Sequence, residues 1–74
     1  MINDNTPITA EILLRNGWKL AYNEYEFGKI SIEANEGFAC WLRYDGWNIG
    51  EPFFTIGELK AIAKALYKVE LKFE

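Results

Sequence analysis

The chain has 74 residues, a formal net charge of −3 and an apolar half that includes three Trp, four Tyr and five Phe. The acidic balance argues against a nucleic-acid binder, which normally carries a clustered positive excess. No apolar run approaches the roughly 20 residues that span a membrane, so we expect no membrane partner. One cysteine and the lack of a basic-then-apolar leader predict a protein of the reducing cytoplasm. The length predicts one domain, 1–74, in which residues 1–6 are a flexible lead-in.

The first predicted helix begins after the N-cap Thr9, covers residues 10–16 and stops at an Asn-Gly pair. A competing start lies at Pro7, because proline suits the first position of a helix. Alternation over Trp18–Tyr22 predicts a first strand. Tyr25–Phe27 either pairs back on that strand or leads into the next one, and the sequence leaves both possibilities open.

Residues 29–50 predict a meander of three antiparallel strands joined by two short turns. Asp45-Gly46 is a favoured two-residue hairpin turn, because both of its positions take positive φ. Residues 35–37 suit a three-residue loop with Gly37 at the left-handed position. The pairs that follow are Tyr44–Trp47, Arg43–Asn48, Leu42–Ile49, Trp41–Gly50, Ala34–Phe38, Ile32–Cys40 and Ser31–Trp41.

Paired residues share a face, and side chains alternate along a strand, so this register sorts the meander into two faces. The first face is apolar and collects Ile30, Ile32, Ala34, Phe38, Cys40, Leu42, Tyr44, Trp47 and Ile49. The second face is mixed and collects Lys29, Ser31, Glu33, Ala39, Trp41, Arg43, Asn48 and Gly50.

A second helix follows the meander, and its start is marked by a capping box from Thr55 to Glu58. Its expected buried stripe consists of Leu59, Ile62, Ala63 and Leu66. The perfect alternation of Val69–Glu74 predicts a closing strand. The predicted fold class is therefore α+β: a small antiparallel sheet, made of the meander plus N- and C-terminal strands, with two helices packed on the apolar face. The second face is left uncovered.

The two helical segments carry a family resemblance. The first reads ITAEILLRNGW and the second reads FFTIGELKAIAKAL. The pattern of a Thr-started helix ending in Asn-Gly-aromatic, followed by a late capped Glu-Leu helix, resembles short proteins from phages, prophages and mobile elements of Bacteroidales gut bacteria. The matching residues are Thr9, Glu11, Ile12, Leu13, Asn16, Gly17, Trp18, Glu58 and Leu59. The chain departs from the pattern at Gly57, where the relatives tend to carry His, and at Lys60, where they tend to carry Gln. The resemblance implies a small accessory protein with no established activity.

The residue inventory disfavours catalysis. The chain has no histidine, the commonest general base and a usual zinc ligand. Cys40 falls on the apolar face, where a structural thiol is expected, and we predict no metal and no cofactor. Lys60, Lys64 and Lys68 follow one another at helical spacing. This pattern is typical of a solvated helix face, and phosphate binding is the alternative.

The candidate binding site lies on the uncovered second face. Trp41 and Arg43 combine an aromatic ring with a guanidinium, which suits a nucleotide or a carboxylate of a partner. Lys29, Ser31 and Asn48 are expected beside them. The alternative is that Trp41 only shields Gly50 within a homodimer. We expect the combined substitution of Trp41→Ala and Arg43→Ala to leave the fold intact and to abolish binding.

The sequence thus favours a non-enzymatic binding protein that self-associates. In the context implied by the resemblance, it would counter a host defence by binding a host protein or by sequestering a nucleotide signal. The alternative is a structural or assembly protein that makes only self-contacts and has no ligand.

Overall fold

The computed structural model describes residues 2–74, with Glu36 described by its backbone alone. Five antiparallel strands form one sheet in the order β1-β2-β3-β4-β5, so every neighbour in the sheet is also a neighbour in sequence. The elements are α1 (Ala10–Arg15), β1 (Lys19–Ala21), β2 (Glu24–Phe27), β3 (Ile30–Ala34), a 3-10 turn (Glu36–Phe38), β4 (Cys40–Tyr44), β5 (Trp47–Phe53) and α2 (Ile56–Tyr67). This architecture confirms the predicted α+β class.

The segment after the first helix folds as a hairpin, which resolves the alternative left open by the sequence. The strand predicted over Trp18–Tyr22 shortens to β1, and β2 pairs back on it with Leu20 opposite Tyr25. On the core side of this hairpin, the buried Trp18 ring stacks on Phe27 with ring centroids 5.3 Å apart. The strand β2 therefore joins β1 to the meander.

The predicted closing strand is wrong. Residues 68–74 pair with no strand, although the burial of their side chains alternates as the sequence pattern demands. Leu71 is buried in the core cluster. The Asn16 side chain binds the last residue from both sides: its Oδ1 accepts from the Glu74 N–H at 2.8 Å, and its Nδ2 donates to the Glu74 carbonyl at 3.1 Å. The tail is thus held by the burial of Leu71 and by the Asn16 side-chain amide, and not by pairing with a strand.

The Asp45-Gly46 turn is confirmed together with its register. Tyr44 pairs with Trp47, and both turn residues have positive φ, 53° and 84°. The other hairpin differs from the prediction, because Ala34 pairs with Cys40 through a five-residue loop, 35–39. The correction moves each pair by two residues. Since side chains alternate with a period of two, the division into two faces survives it.

A bulge interrupts the pairing of β4 with β5. Cys40 pairs with Phe53 and Leu42 pairs with Ile49, so residues 50–52 together lie opposite Trp41. The predicted pair of Trp41 with Gly50 is therefore wrong. Gly50 has φ 74°, a conformation that glycine adopts without strain. β5 continues through Pro52 because an edge strand tolerates a residue that lacks an N–H.

Both helices pack on the apolar face, as predicted. The buried core consists of Ile8, Ile12, Leu13, Trp18, Tyr25, Ile30, Ile32, Cys40, Leu42, Phe53, Ile56, Leu59, Ala63 and Leu71. The residues of this face nearest the β4–β5 turn, Tyr44, Trp47 and Ile49, do not join this cluster and are exposed. The helical cover therefore ends before the sheet does.

The N-terminal segment runs along the start of α2. The Ile8 N–H donates to the Phe54 carbonyl at 2.8 Å, and the Gly57 N–H donates to the Asp4 carbonyl at 2.9 Å. An isolated bridge between Pro7 and Thr55 lies between these two bonds. The predicted flexibility of residues 1–6 concerns motion and stays a prediction, and Met1 lies outside the described residues.

The predicted capping box at the start of α2 is present. The Thr55 Oγ1 accepts from the Glu58 N–H at 3.3 Å, while Glu58 Oε1 accepts from the backbone N–H groups of Phe54 and Thr55, both at 3.1 Å. The bond from the Phe54 backbone, followed by the one from the Thr55 hydroxyl, lowers the pKa of Glu58 below its ordinary value. The carboxylate form of Glu58 therefore stabilises the folded state.

Replacing Glu58 by glutamine is expected to reduce the acid sensitivity of the fold. A carboxyl whose pKa is lower in the folded state stabilises the fold above its unfolded pKa, about 4.3 for Glu, and this contribution is lost as pH falls through the folded pKa. Urea unfolding at neutral and acidic pH should therefore show a smaller acid-induced loss of stability in Glu58→Gln than in the original protein. An equal acid-induced loss of stability in both proteins would show that the Glu58 carboxylate is not its source.

Candidate functional site

Arg43, at the centre of the predicted site, is engaged by its neighbours on the second face. Its Nη1 donates to Asn48 Oδ1 at 2.9 Å and lies 3.7 Å from Glu33 Oε1. Its Nε lies 3.3 Å from Glu24 Oε1, which is an ion-pair contact but not a hydrogen bond. The same carboxylates accept two further hydrogen bonds: Asn48 Nδ2 donates to Glu33, and Ser31 Oγ donates to Glu24. We call these five residues the Arg43 network.

The charges of the Arg43 network disfavour an anionic ligand. Glu24 and Glu33 are a directly opposed pair on β2 and β3. Two like charges in this position repel each other, and the Arg43 guanidinium lies between them and offsets the repulsion. Two carboxylates and one guanidinium leave a local excess of one negative charge, which would repel the phosphate of a nucleotide.

The structure brings together four of the five predicted site residues: Asn48 is hydrogen-bonded to Arg43, and Lys29, Ser31 and Arg43 line one depression. Trp41 is half-buried on the same face, opposite Glu33. Lys29 was predicted to lie on a strand, but it lies in the two-residue turn between β2 and β3. An open depression at this end of the sheet is lined by Glu24, Lys29, Ser31, Arg43, Tyr44, Asp45, Gly46 and Tyr67. Trp41 is not part of its lining.

Cys40 is a buried structural thiol. Its side chain has no exposed surface, and Sγ donates to the Phe38 carbonyl at 3.4 Å. Burial raises the pKa of Cys40 to about 11, so the nucleophilic thiolate is scarce at neutral pH. Among residues 2–74, the described side chains form no group of three His, Cys, Asp or Glu that could hold a metal ion. Over the same range, no helix is long and apolar enough to cross a membrane.

The three lysines predicted to line one side of the second helix do not form a cluster of free cations. Lys60 Nζ lies 3.2 Å from Asp4 Oδ1, and Lys64 Nζ lies 3.7 Å from Glu70 Oε1. Lys68 lies beyond the helix, where it takes the left-handed C-cap conformation with φ 59°. This arrangement favours a solvated helix face over phosphate binding.

An exposed group of apolar side chains lies on the opposite face of the sheet, where the sequence pattern predicts none. Trp47 is 73% exposed, Tyr44 61%, Leu66 57% and Ile49 37%. Tyr44, Ile49 and Leu66 line one depression together with Tyr67. We call Tyr44, Trp47, Ile49 and Leu66 the hairpin patch.

The hairpin patch contains residues that were predicted to be buried. Leu66 belongs to the predicted buried stripe of the second helix, and Tyr44, Trp47 and Ile49 belong to the apolar face on which both helices were predicted to pack. The signal that could have identified the patch is the position of Tyr44 and Trp47 directly beside the Asp45-Gly46 turn. Residues that flank a hairpin turn lie at the end of a sheet, where the cover by a helix is least complete.

Comparison of the chain with protein-family models, with curated proteins and with solved structures finds no significant match.

Proposed function

We propose that this chain is a non-enzymatic interaction protein that self-associates and binds a partner protein through the hairpin patch. The observation that carries the proposal is the exposure of Tyr44 together with its strand partner Trp47 and with Leu66, which lines one depression with Tyr44. Contiguous apolar surface on a small protein usually marks a contact site, and Trp and Tyr are the side chains that most often dominate binding energy.

The host-directed role predicted from the resemblance belongs to this proposal. An accessory protein of a phage or mobile element would use the hairpin patch to bind a host protein and so counter a defence. The Arg43 network supports this version over sequestration of a nucleotide signal, because its guanidinium already faces two carboxylates. The competing candidate is an assembly protein whose only partner is another copy of itself.

Capture experiments with matched variants test the proposal. The immobilised protein, Trp47→Ser and the control Tyr22→Ser are incubated with extract of the bacterium that harbours the gene. Tyr22 is 98% exposed and lies outside the hairpin patch, so its substitution removes an aromatic ring without touching the surface in question. We expect a specific partner to be retained by the original protein and by Tyr22→Ser, and to be lost about tenfold or more with Trp47→Ser.

Equal retention by Trp47→Ser would overturn the assignment of the hairpin patch. Self-association without any retained partner would favour the assembly role. Thermal unfolding of each variant provides the control for folding, since exposed substitutions normally change stability by less than about 0.5 kcal/mol.

A further inference from the structure

β5 is an edge strand with an open backbone near its turn. Tyr44 and Trp47 close a two-residue hairpin, and such a closing pair exchanges hydrogen bonds. Because bonded and non-bonded pairs alternate along an antiparallel ladder, the N–H and C=O groups of Asn48 point away from β4. All residues of β5 before Phe53 are exposed, so no described part of the chain covers this edge.

The rest of this edge has structural features that normally prevent strands from pairing. Gly50 lies in the left-handed region within the bulge, and Pro52 has no N–H to donate. The N-terminal segment bridges to Thr55 just beyond the strand. None of these features lies within residues 47–49. The opposite edge of the sheet, β1, is only three residues long and carries Lys19, which also discourages pairing.

We infer that residues 47–49 of β5 pair antiparallel with the same residues of a second copy of this chain. The inference rests on the proposed self-association and names its geometry. A two-fold axis through the edge sets Asn48 against Asn48 of the second copy, which lets the two backbones exchange both outward hydrogen bonds. Gly50, the next outward position, is not in an extended conformation, so it cannot be the centre of a symmetric pairing.

This register sets apolar side chains of the two copies opposite each other. With Asn48 at the axis, Trp47 of each copy lies opposite Ile49 of the other, on the face where both are exposed. Pairs of an aromatic with a β-branched residue are among the favourable cross-strand neighbours. The contact is self-complementary, because each copy supplies both members of the pair, whereas a foreign strand would need its own matching residues.

The net charge of the chain gives the contact a recognisable salt dependence. Each of the two copies has a net charge of −3, so their charges repel each other when the copies meet. These repulsions are screened by added salt, so dimerisation should strengthen as salt increases. A basic foreign strand docked at this edge would instead be weakened by salt.

A symmetric disulfide tests the register. The Cα atoms of a hydrogen-bonded antiparallel pair are about 5.5 Å apart, within the range that a disulfide bridges. Asn48→Cys should therefore form a covalent dimer under mild oxidation, and the native Cys40 can remain because it is buried. Tyr22→Cys is the control: it places a thiol at a position that is 98% exposed and away from the edge, and it should stay largely uncoupled.

Backbone methylation tests the edge directly. The 74-residue chain can be assembled by ligation of segments 1–39 and 40–74 at Cys40, with an N-methyl group on Asn48. The methyl group removes the outward donor while the side chain is kept, and dimerisation measured by sedimentation should weaken by about tenfold or more. The control Asn48→Ala loses the side chain, keeps the N–H and should still dimerise.

Each outcome decides the inference. A strict monomer up to about 1 mM, the weak limit of specific association, would overturn it. A dimer that ignores the N-methyl group, or that couples Tyr22→Cys rather than Asn48→Cys, would also overturn it. If a monomeric protein still retains a foreign partner through Trp47, the proposed binding function survives while the dimer does not. If neither a dimer nor a retained partner is found, both the inferred strand pairing and the proposed binding function are wrong.

Discussion

Gly57→Ala is expected to lower the free energy of unfolding by about 1–3 kcal/mol, although alanine is the better helix former. A Cβ atom at Gly57 would lie 2.7 Å from Asp4 Cβ, 2.8 Å from the Asp4 carbonyl oxygen and 3.1 Å from Asp4 Cα. The crowded atoms include backbone, so a side-chain rotation cannot relieve the contact. The Gly57 N–H bond to the Asp4 carbonyl would then be stretched or lost. Urea unfolding followed by tryptophan fluorescence measures the loss.

Removal of residues 1–4 provides the control, because it deletes Asp4, which supplies the three atoms nearest to the new Cβ. In the shortened chain, Gly57→Ala should become stabilising by up to about 1 kcal/mol, the intrinsic preference of alanine over glycine in a helix. The sign of the substitution therefore depends on whether Asp4 is present. An equal cost in both chains would show that the N-terminal segment does not pack against α2 in solution.

The parts of the fold that the sequence predicted correctly are specified by near neighbours. The capping box joins Thr55 to Glu58 within one helical turn, and Asp45-Gly46 joins residues that are already adjacent. The division of the meander into two faces depends only on the alternation of side chains, so it was correct even where the register was wrong by two residues.

The errors arise where distant residues decide the local conformation. Phe38 takes a left-handed φ of 56°, which is rare for an aromatic residue, and its ring packs against Tyr25 with centroids 5.9 Å apart. This position lengthens the loop that the sequence placed at 35–37. The tail is held by Asn16, 58 residues before Glu74, and no periodicity in the tail contains that contact.

The candidate site differs from the predicted one because it, too, depends on contacts between residues that are distant in sequence. Glu24, the partner of Arg43 on β2, could be placed only when β2 joined the sheet, a step that the sequence had left open. The exposure of Trp47 and Leu66 depends on how far the β4–β5 hairpin extends beyond α2, which is a relation between two elements. Pattern within one element identifies its apolar side but does not show how much of that side is covered.

Arg43→Ala is expected to lower the free energy of unfolding by about 1–2 kcal/mol, which reverses our expectation that this face tolerates substitution. The Arg43 side chain is only 25% exposed, and removal of its guanidinium leaves Glu24 and Glu33 directly opposed without a compensating charge. Adding Trp41→Ala removes a half-buried ring from the same face and raises the total loss to roughly 2–4 kcal/mol. The core of so small a domain rarely supplies more than about 3–5 kcal/mol, so the combined variant should be partly unfolded.

Neutralising the two carboxylates separates a structural role of Arg43 from a binding role. If Arg43 stabilises the sheet by offsetting the charges of Glu24 and Glu33, then replacing both by glutamine should restore about 1 kcal/mol to Arg43→Ala, while the same replacements should destabilise the original protein. Urea unfolding of the four variants forms the cycle. A cost of Arg43→Ala that persists unchanged after neutralisation would show that the charges are not its cause. Full stability of Arg43→Ala alone would return Arg43 to the list of side chains free to bind a ligand.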